Sequence, residues 1–101
     1  MDKYIKDNKI NKIDILKIDT QGYELNILKG LKNSLKSKIK FVELEITVED
    51  SYLNNPKFYE IDKYLNLFNF KLFKIEDIFN DKKKLNIRFF DAVYINKNLV
   101  L

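Results

Sequence analysis

Between Ile13 and Gly30 the chain reads IDILKIDTQGYELNILKG, and the period of its apolar residues changes partway through. Ile13, Ile15, Leu16 and Ile18 form a nearly continuous, β-branched run, the pattern of a strand covered on both faces as in a parallel sheet. From Tyr23 to Leu35 the apolar residues fall instead at Leu28, Leu31 and Leu35, with Leu25 and Ile27 beside them, which is helical spacing. A strand, a tight turn and a helix therefore follow one another within two dozen residues. Gly22, one of only two glycines in the chain, stands at the break between Asp19 and Glu24.

The remaining sequence continues the alternation. Met1 to Lys12 suits a short helix and a connection, and IKFVELEI, from Ile39 to Ile46, reads as a second strand. A loop leads to a second helix, with Asn55 placed to cap it, Pro56 at its first position and an apolar face of Phe58, Ile61, Leu65 and Phe68. Asn69 ends that helix, because Asn is second only to Gly at a left-handed terminal position. Phe70 to Ile75 and Arg88 to Asn96 read as two further strands with no helix between them, so they are expected to pair antiparallel. The order is βαβα followed by a hairpin: an α/β fold of one domain over residues 1–101, with helices on a mostly parallel sheet and an antiparallel hairpin at its edge.

A chain of 101 residues buries only about two-thirds of its unfolded surface, so its stability margin is narrow. It contains no Cys and no His, which removes disulfides, thiolate nucleophiles, zinc–thiolate sites and the commonest general base. Chemistry must then rest on carboxylates, Lys, Tyr or a cofactor, and no metal site is expected. The net charge of +4 arises in a chain where Lys, Asn and Ile make up 43 of 101 residues, a bias expected of an AT-rich coding sequence. The lysines form no phosphate-tracking stripe, and the Lys82 to Lys84 run reads as a solvated loop, so no nucleic-acid partner is expected. No apolar run approaches the roughly 20 residues that cross a bilayer, and charge follows Met1, so no membrane partner and a cytoplasmic location are expected.

In open α/β sheets, ligands bind beyond the carboxyl ends of the strands, which is where Asp19 falls. Gly22 would let the chain turn sharply and a ligand approach the backbone, while Glu24 would lie in the first helical turn, favoured by the dipole. The same residues also suit a local role, with Asp19 or Thr20 as cap, Gly22 as turn and Glu24 as dipole partner. Glu43 and Glu45 alternate with Val42, Leu44 and Ile46 and so share one face of a strand expected to be buried; Glu45, nearer the carboxyl end, is the site candidate of the two. Phe58, Phe68, Phe70, Phe73, Phe89, Phe90 and Tyr94 read as core.

LKIDTQGYELNILKG resembles the motif of FkbM-type methyltransferases, L-K-I-D-x-[EQ]-G-x-E-x-x-x-L-x-G, at Leu16, Lys17, Ile18, Asp19, Gln21, Gly22, Glu24, Leu28 and Gly30. FVELEI, FYEIDKYLNLFNFKLFKI and FDAVYINK are similar to the family's later strands and last helix, and MDKYIKDNKINK to the segment before the motif strand. Gln21 and Asn69 depart from the usual Glu and Gly. The resemblance implies a partial Rossmann-like domain and methyl transfer from S-adenosylmethionine to an oxygen, typically a sugar or small-molecule hydroxyl. It implies catalytic roles for Asp19, Glu24 and Glu45, cofactor contacts from Asp19 and Gly22, and substrate contacts from Gln21 and Glu24. The family's glycine-rich turn and ribose-binding acid are missing, since Gly22 and Gly30 cannot form G-x-G, so the chain resembles only the C-terminal half of the domain. The resemblance then implies part of a larger or split enzyme, with a separately encoded N-terminal half as the expected partner in the split case. The alternative is a non-catalytic remnant or interaction module that pairs with another chain, or with itself, through an exposed edge at Ile13 to Ile18.

Overall fold

The computed structural model describes residues 2–19, 23–47, 58–81 and 86–100. Its elements run α1 (Asp2–Asp7), β1 (Ile13–Ile18), α2 (Glu24–Lys29), α3 (Lys32–Ser37), β2 (Ile39–Thr47), α4 (Phe58–Leu67), β3 (Phe70–Asp81), β4 (Asn86–Asn96) and α5 (Lys97–Val100). The strands form one sheet in the order β1-β2-β4-β3.

This order corrects the expected mostly parallel sheet. Among the described residues only β1 and β2 pair parallel; β2 with β4 and β4 with β3 are both antiparallel, so the sheet is mixed. The reason is where the hairpin lands. After α4 the chain enters β3 one strand-width away from β2, and β4 folds back into the gap, bonded along both edges. The nearly unbroken apolar run of FFDAVYI suits that central place, because a strand flanked on both sides is the one most enclosed.

Helices pack against one face of the sheet. There Ile18, Val42, Leu44, Ile46, Phe90, Ala92 and Tyr94 are buried with Leu28, Leu31 and Leu35 of the α2–α3 region and Ile61 and Leu65 of α4. The Tyr94 hydroxyl donates to Asp62 Oδ1 of α4 at 2.7 Å. Asn96 is fully buried and satisfied: its Nδ2 donates to the carbonyls of Leu35 (3.1 Å) and Ile39 (2.9 Å), and its Oδ1 accepts from the Asn98 amide at 3.0 Å. At the sheet margin the Phe58 and Phe90 rings meet edge to face at 5.4 Å.

The helix expected from Tyr23 to Leu35 is two helices on one stripe. Gly30 closes α2, and α3 starts after Leu31 with no side-chain cap of its own. The α1 carboxylate of Asp2 fills that role from far away in sequence, accepting from the amides of Asn33 (2.8 Å) and Ser34 (3.1 Å) and from the Ser34 hydroxyl (2.6 Å). Asn69, at φ 64°, ends α4 in the left-handed region, as the sequence suggested. Asn55, Pro56 and Lys82 to Lys84 lie outside the described residues. Among the described residues, no helix is long and apolar enough to cross a membrane.

The opposite face of the sheet carries no helix among the described residues. Ile15 is 63% exposed and so is Phe73, which overturns the reading of β1 as a strand covered on both faces and of Phe73 as core. The core expectation holds for Phe70, Phe90 and Tyr94, while Phe58 and Phe68 pack at the core margin.

Candidate functional site

The open face is ordered in rows by the strand register. In the first row Ile15 lies beside Phe41 and Phe41 beside Ile95, and the Phe73 ring reaches Phe41 with centroids 6.5 Å apart. Phe73 gets there because the register shifts between Leu72 and Lys74, a local bulge. The second row runs Lys17, Glu43, Val93 and Lys74. The third row sets Glu45 opposite Asp91 and Asp91 opposite Glu76, and Asp19 extends β1 to the same level. Apolar character thus gives way to carboxylate along the strands, and the carboxylates gather at the carboxyl ends of β1 and β2.

A pocket of about 100 Å³ opens at this end, lined by Lys17, Asp19, Glu43, Glu45 and Asp91 among others. Asp19 is exposed at its rim, and Glu45 is half-buried. Glu24, the first residue of α2, is 4% exposed and close enough for its charge to act on Glu45. The three acidic residues singled out from the sequence are therefore electrostatic neighbours. Gln21 and Gly22 lie outside the described residues, so their predicted contacts have no structural counterpart here.

Electrostatics follow from the crowding. Burial first, then the charges of Asp19, Asp91 and Glu24, raise the Glu45 carboxyl above its ordinary range. Asp91 is raised as well, by burial, by a hydrogen bond and charge from Asp77, and by Glu43, with Lys17 pulling the other way. Lys74 is engaged with Glu76 at 2.9 Å. A site with this charge excess can accept a proton from a hydroxyl or attract an organic cation. The carboxylates form no metal-holding group among the described residues.

Sequence reading missed Asp91, and with it Lys17 and Glu43 as pocket walls. Asp91 sits in a strand of apolar residues, FFDAVYI, where an acid needs a reason, so a signal was present. What hid it was topology. With β4 placed at the edge, Asp91 would lie far from Glu45; with β4 in the centre, the two are directly opposite.

Comparison with known proteins adds identity to this geometry. No solved structure matches the chain. Over 45 residues it is 38% identical to the hexuronic acid methyltransferase AglP of Haloferax volcanii, a stretch that covers 45% of this chain and 18% of that protein. The family described as the methyltransferase FkbM domain matches residues 1–72, from α1 into β3 and across the whole Asp19 to Glu45 region. The chain belongs to the methyltransferase FkbM domain family.

Proposed function

We propose that this chain is the C-terminal half of an S-adenosylmethionine-dependent methyltransferase domain that methylates a hydroxyl oxygen of a sugar or small molecule, acting as part of a larger or split enzyme. The observation that carries this reading is the convergence of Asp19, Glu24 and Glu45 at the carboxyl ends of the parallel pair β1 and β2, within the region that the family match covers. The sugar acceptor is supported by the hexuronic acid methyltransferase to which the chain is similar.

The residues present suit the charged part of the cofactor and not its whole body. An acidic row complements a sulfonium and an ammonium group, whereas a pocket of about 100 Å³ is small beside the roughly 300–1,000 Å³ of sites that enclose small molecules. Bound S-adenosylmethionine would supply an electrophilic methyl carbon. The chain's own contribution is orientation and proton handling. Asp19, exposed at the rim, holds the acceptor hydroxyl and takes its proton as the oxygen becomes nucleophilic. Glu24 orients the same crevice from the first turn of α2, and Glu45 keeps the row negative behind them. Holding the oxygen in line with the methyl carbon supplies most of the rate, so the lack of histidine is no obstacle.

The test uses the chain alone and the chain fused behind the cofactor-binding half of an FkbM-type relative. Calorimetry is expected to find no saturable binding of S-adenosylmethionine to the chain alone, and radiolabelled methyl transfer to a hexuronic acid is expected from the fusion. Asp19→Asn in the fusion should lower kcat by about 10²–10⁴-fold. Saturable micromolar binding by the chain alone would overturn the half-site reading, and an Asp19→Asn fusion as active as the parent would remove Asp19 from the chemistry.

A further inference from the structure

β3 ends the sheet order, and among the described residues no strand bonds its outer edge. It runs for 12 residues, and an unpaired edge of that length is a template for another strand. Its apolar side chains stay open to solvent on both sides of the sheet. Leu72 and Ile75 stand opposite Tyr94 and Ala92, which are buried on the helix-covered face, yet Leu72 is 40% and Ile75 44% exposed. Lys74 and Glu76 stand opposite Val93 and Asp91 on the open face, and Phe73 joins them there through its ring contact with Phe41. Two register shifts set this pattern, one between Leu72 and Lys74 and one between Glu76 and Phe79. In the second, Asp77 takes φ 49° and hydrogen-bonds Asp91 on the open face. Phe79 pairs with Phe89, so by alternation Ile78, 52% exposed, falls on the same side as Phe90, the helix-covered one.

From Leu72 to Ile78 the facing order is therefore helix side, open, open, helix side, open, open, helix side. It reads the same in both directions about Ile75. We propose that two copies of this chain pair antiparallel along β3, about a two-fold axis through Ile75, and so join their sheets into one. In that register Leu72 lies opposite Ile78 of the second copy and Ile75 opposite Ile75, an apolar ladder on the helix-covered side. On the open side Lys74 lies opposite Glu76 of the second copy, twice over. Lys74 and Glu76 already pair within the chain at 2.9 Å, so the dimer closes a ring of four alternating charges.

Bulges and lysines are also the devices that keep an edge from pairing, which makes their symmetry the deciding observation. The axis brings the bulge at Phe73 against the bulge at Asp77, so the irregularities of the two edges coincide. Other registers fit less well. A slip of one residue sets helix-side residues against open-side ones, and a slip of two opposes Lys74 to itself or Glu76 to itself. A slip of three matches faces over a shorter stretch. β1, the other edge, offers no such match: its regular alternation puts Asp14 and Lys17 on opposite faces, so no antiparallel self-pairing sets them opposite. A ladder from Leu72 to Ile78 spans about 20 Å, a small interface of the transient class.

The test uses the full chain and does not involve methyl transfer. Sedimentation equilibrium from micromolar to millimolar concentration is expected to show a reversible monomer–dimer equilibrium with no larger species. Ile75→Lys should abolish the dimer while circular dichroism shows the fold intact. The chain has no cysteine, so Ile75→Cys gives one thiol per copy, with about 4.5–5.5 Å between the two Cβ atoms across the axis. A short bis-maleimide should link that variant into dimers. Ile78→Cys, whose two copies lie about 20 Å apart, should stay unlinked, and Leu72→Cys mixed with Ile78→Cys should link. Lys74→Glu and Glu76→Lys should each dimerise about tenfold more weakly than wild type, and an equal mixture of the two should restore the dimer. Neither variant keeps the ion pair within its own chain, so the mixture reads only the contact between copies. A chain monomeric at millimolar concentration, a dimer that survives Ile75→Lys, linkage of Ile78→Cys equal to that of Ile75→Cys, or a mixture no better than its components overturns the proposal.

Discussion

Glu45→Gln is expected to stabilise the isolated chain at neutral pH and to lose that advantage in acid. The substitution keeps the side chain's shape and removes its charge. In the fold that charge is half-buried, lies opposite Asp91 across the β2–β4 pair, and feels Asp19 and Glu24, all of which raise its pKa. A carboxyl whose folded pKa lies above its unfolded value contributes stability fully present below the unfolded pKa, near 4.5, and lost as pH rises through the folded pKa. Wild type has therefore given up this contribution at pH 7, and the Gln variant has not. A directly opposed like-charge pair costs roughly 0.2–1 kcal/mol, and burial and two further like charges add to it, so the gain is about 1 kcal/mol. For a domain of this size that is a rise in Tm of roughly 4–8 °C. Thermal melts by circular dichroism at pH 7 and at about pH 4, repeated in about 0.5 M salt, read the effect directly. A variant less stable than wild type at pH 7, or a gain equal at both pH values, would refute the charge argument.

Asp2→Ala removes the acceptor for the Asn33 and Ser34 amides and should lower stability by about 1–2 kcal/mol, seen as a lower urea midpoint. Burial raises the Asp2 carboxyl, but the bonds from Ser34 and Asn33 outweigh it and the net shift is downward; wild type holds this contribution above the unfolded pKa and loses it as pH falls through the folded one, so the difference between wild type and variant should shrink in the acid melt. Asn96→Leu leaves the Leu35 and Ile39 carbonyls buried without their donor and should cost about 2–4 kcal/mol by urea denaturation, with Asn96→Ala similar because the loss is polar rather than steric. Tyr94→Phe deletes the 2.7 Å bond to Asp62 and should cost about 1–2 kcal/mol by urea denaturation.

The parts of the fold set by local chemistry were readable from the sequence. The change of apolar period around Gly22 marked β1 and the helical stripe; Leu28, Leu31 and Leu35 are fully buried; and Asn69 closes α4 in the left-handed conformation. What the sequence hid depends on contacts distant in the chain. Gly30 splits the stripe into α2 and α3, and the acceptor that caps α3 is Asp2, distant from Asn33 in sequence but bonded to it in space. The apolar run of β4 suits a central place, but the hairpin pairing alone does not choose between edge and centre, because an antiparallel strand forms the same ladder in either position. The error about the sheet carried straight into the site: Asp19, Glu24 and Glu45 were nominated, and Asp91 was not, because its partner across the sheet was unknown.

The two faces of the sheet divide the work of the molecule. The covered face holds the chain together through apolar burial and three satisfied polar links, from Asp2, Asn96 and Tyr94, each joining elements far apart in sequence. The open face does the reverse: it sets Glu45 against Asp91 and exposes Ile15 and Phe73. A small domain with a narrow margin keeps such a row only where the charge has a use, and a row of carboxylates at the ends of parallel strands is useful to a cation. In the proposed function that cation is the sulfonium of S-adenosylmethionine. If the cofactor-binding half brings that cation to the row, the stability gained by Glu45→Gln in the isolated chain should shrink or reverse once that half is attached and S-adenosylmethionine is bound.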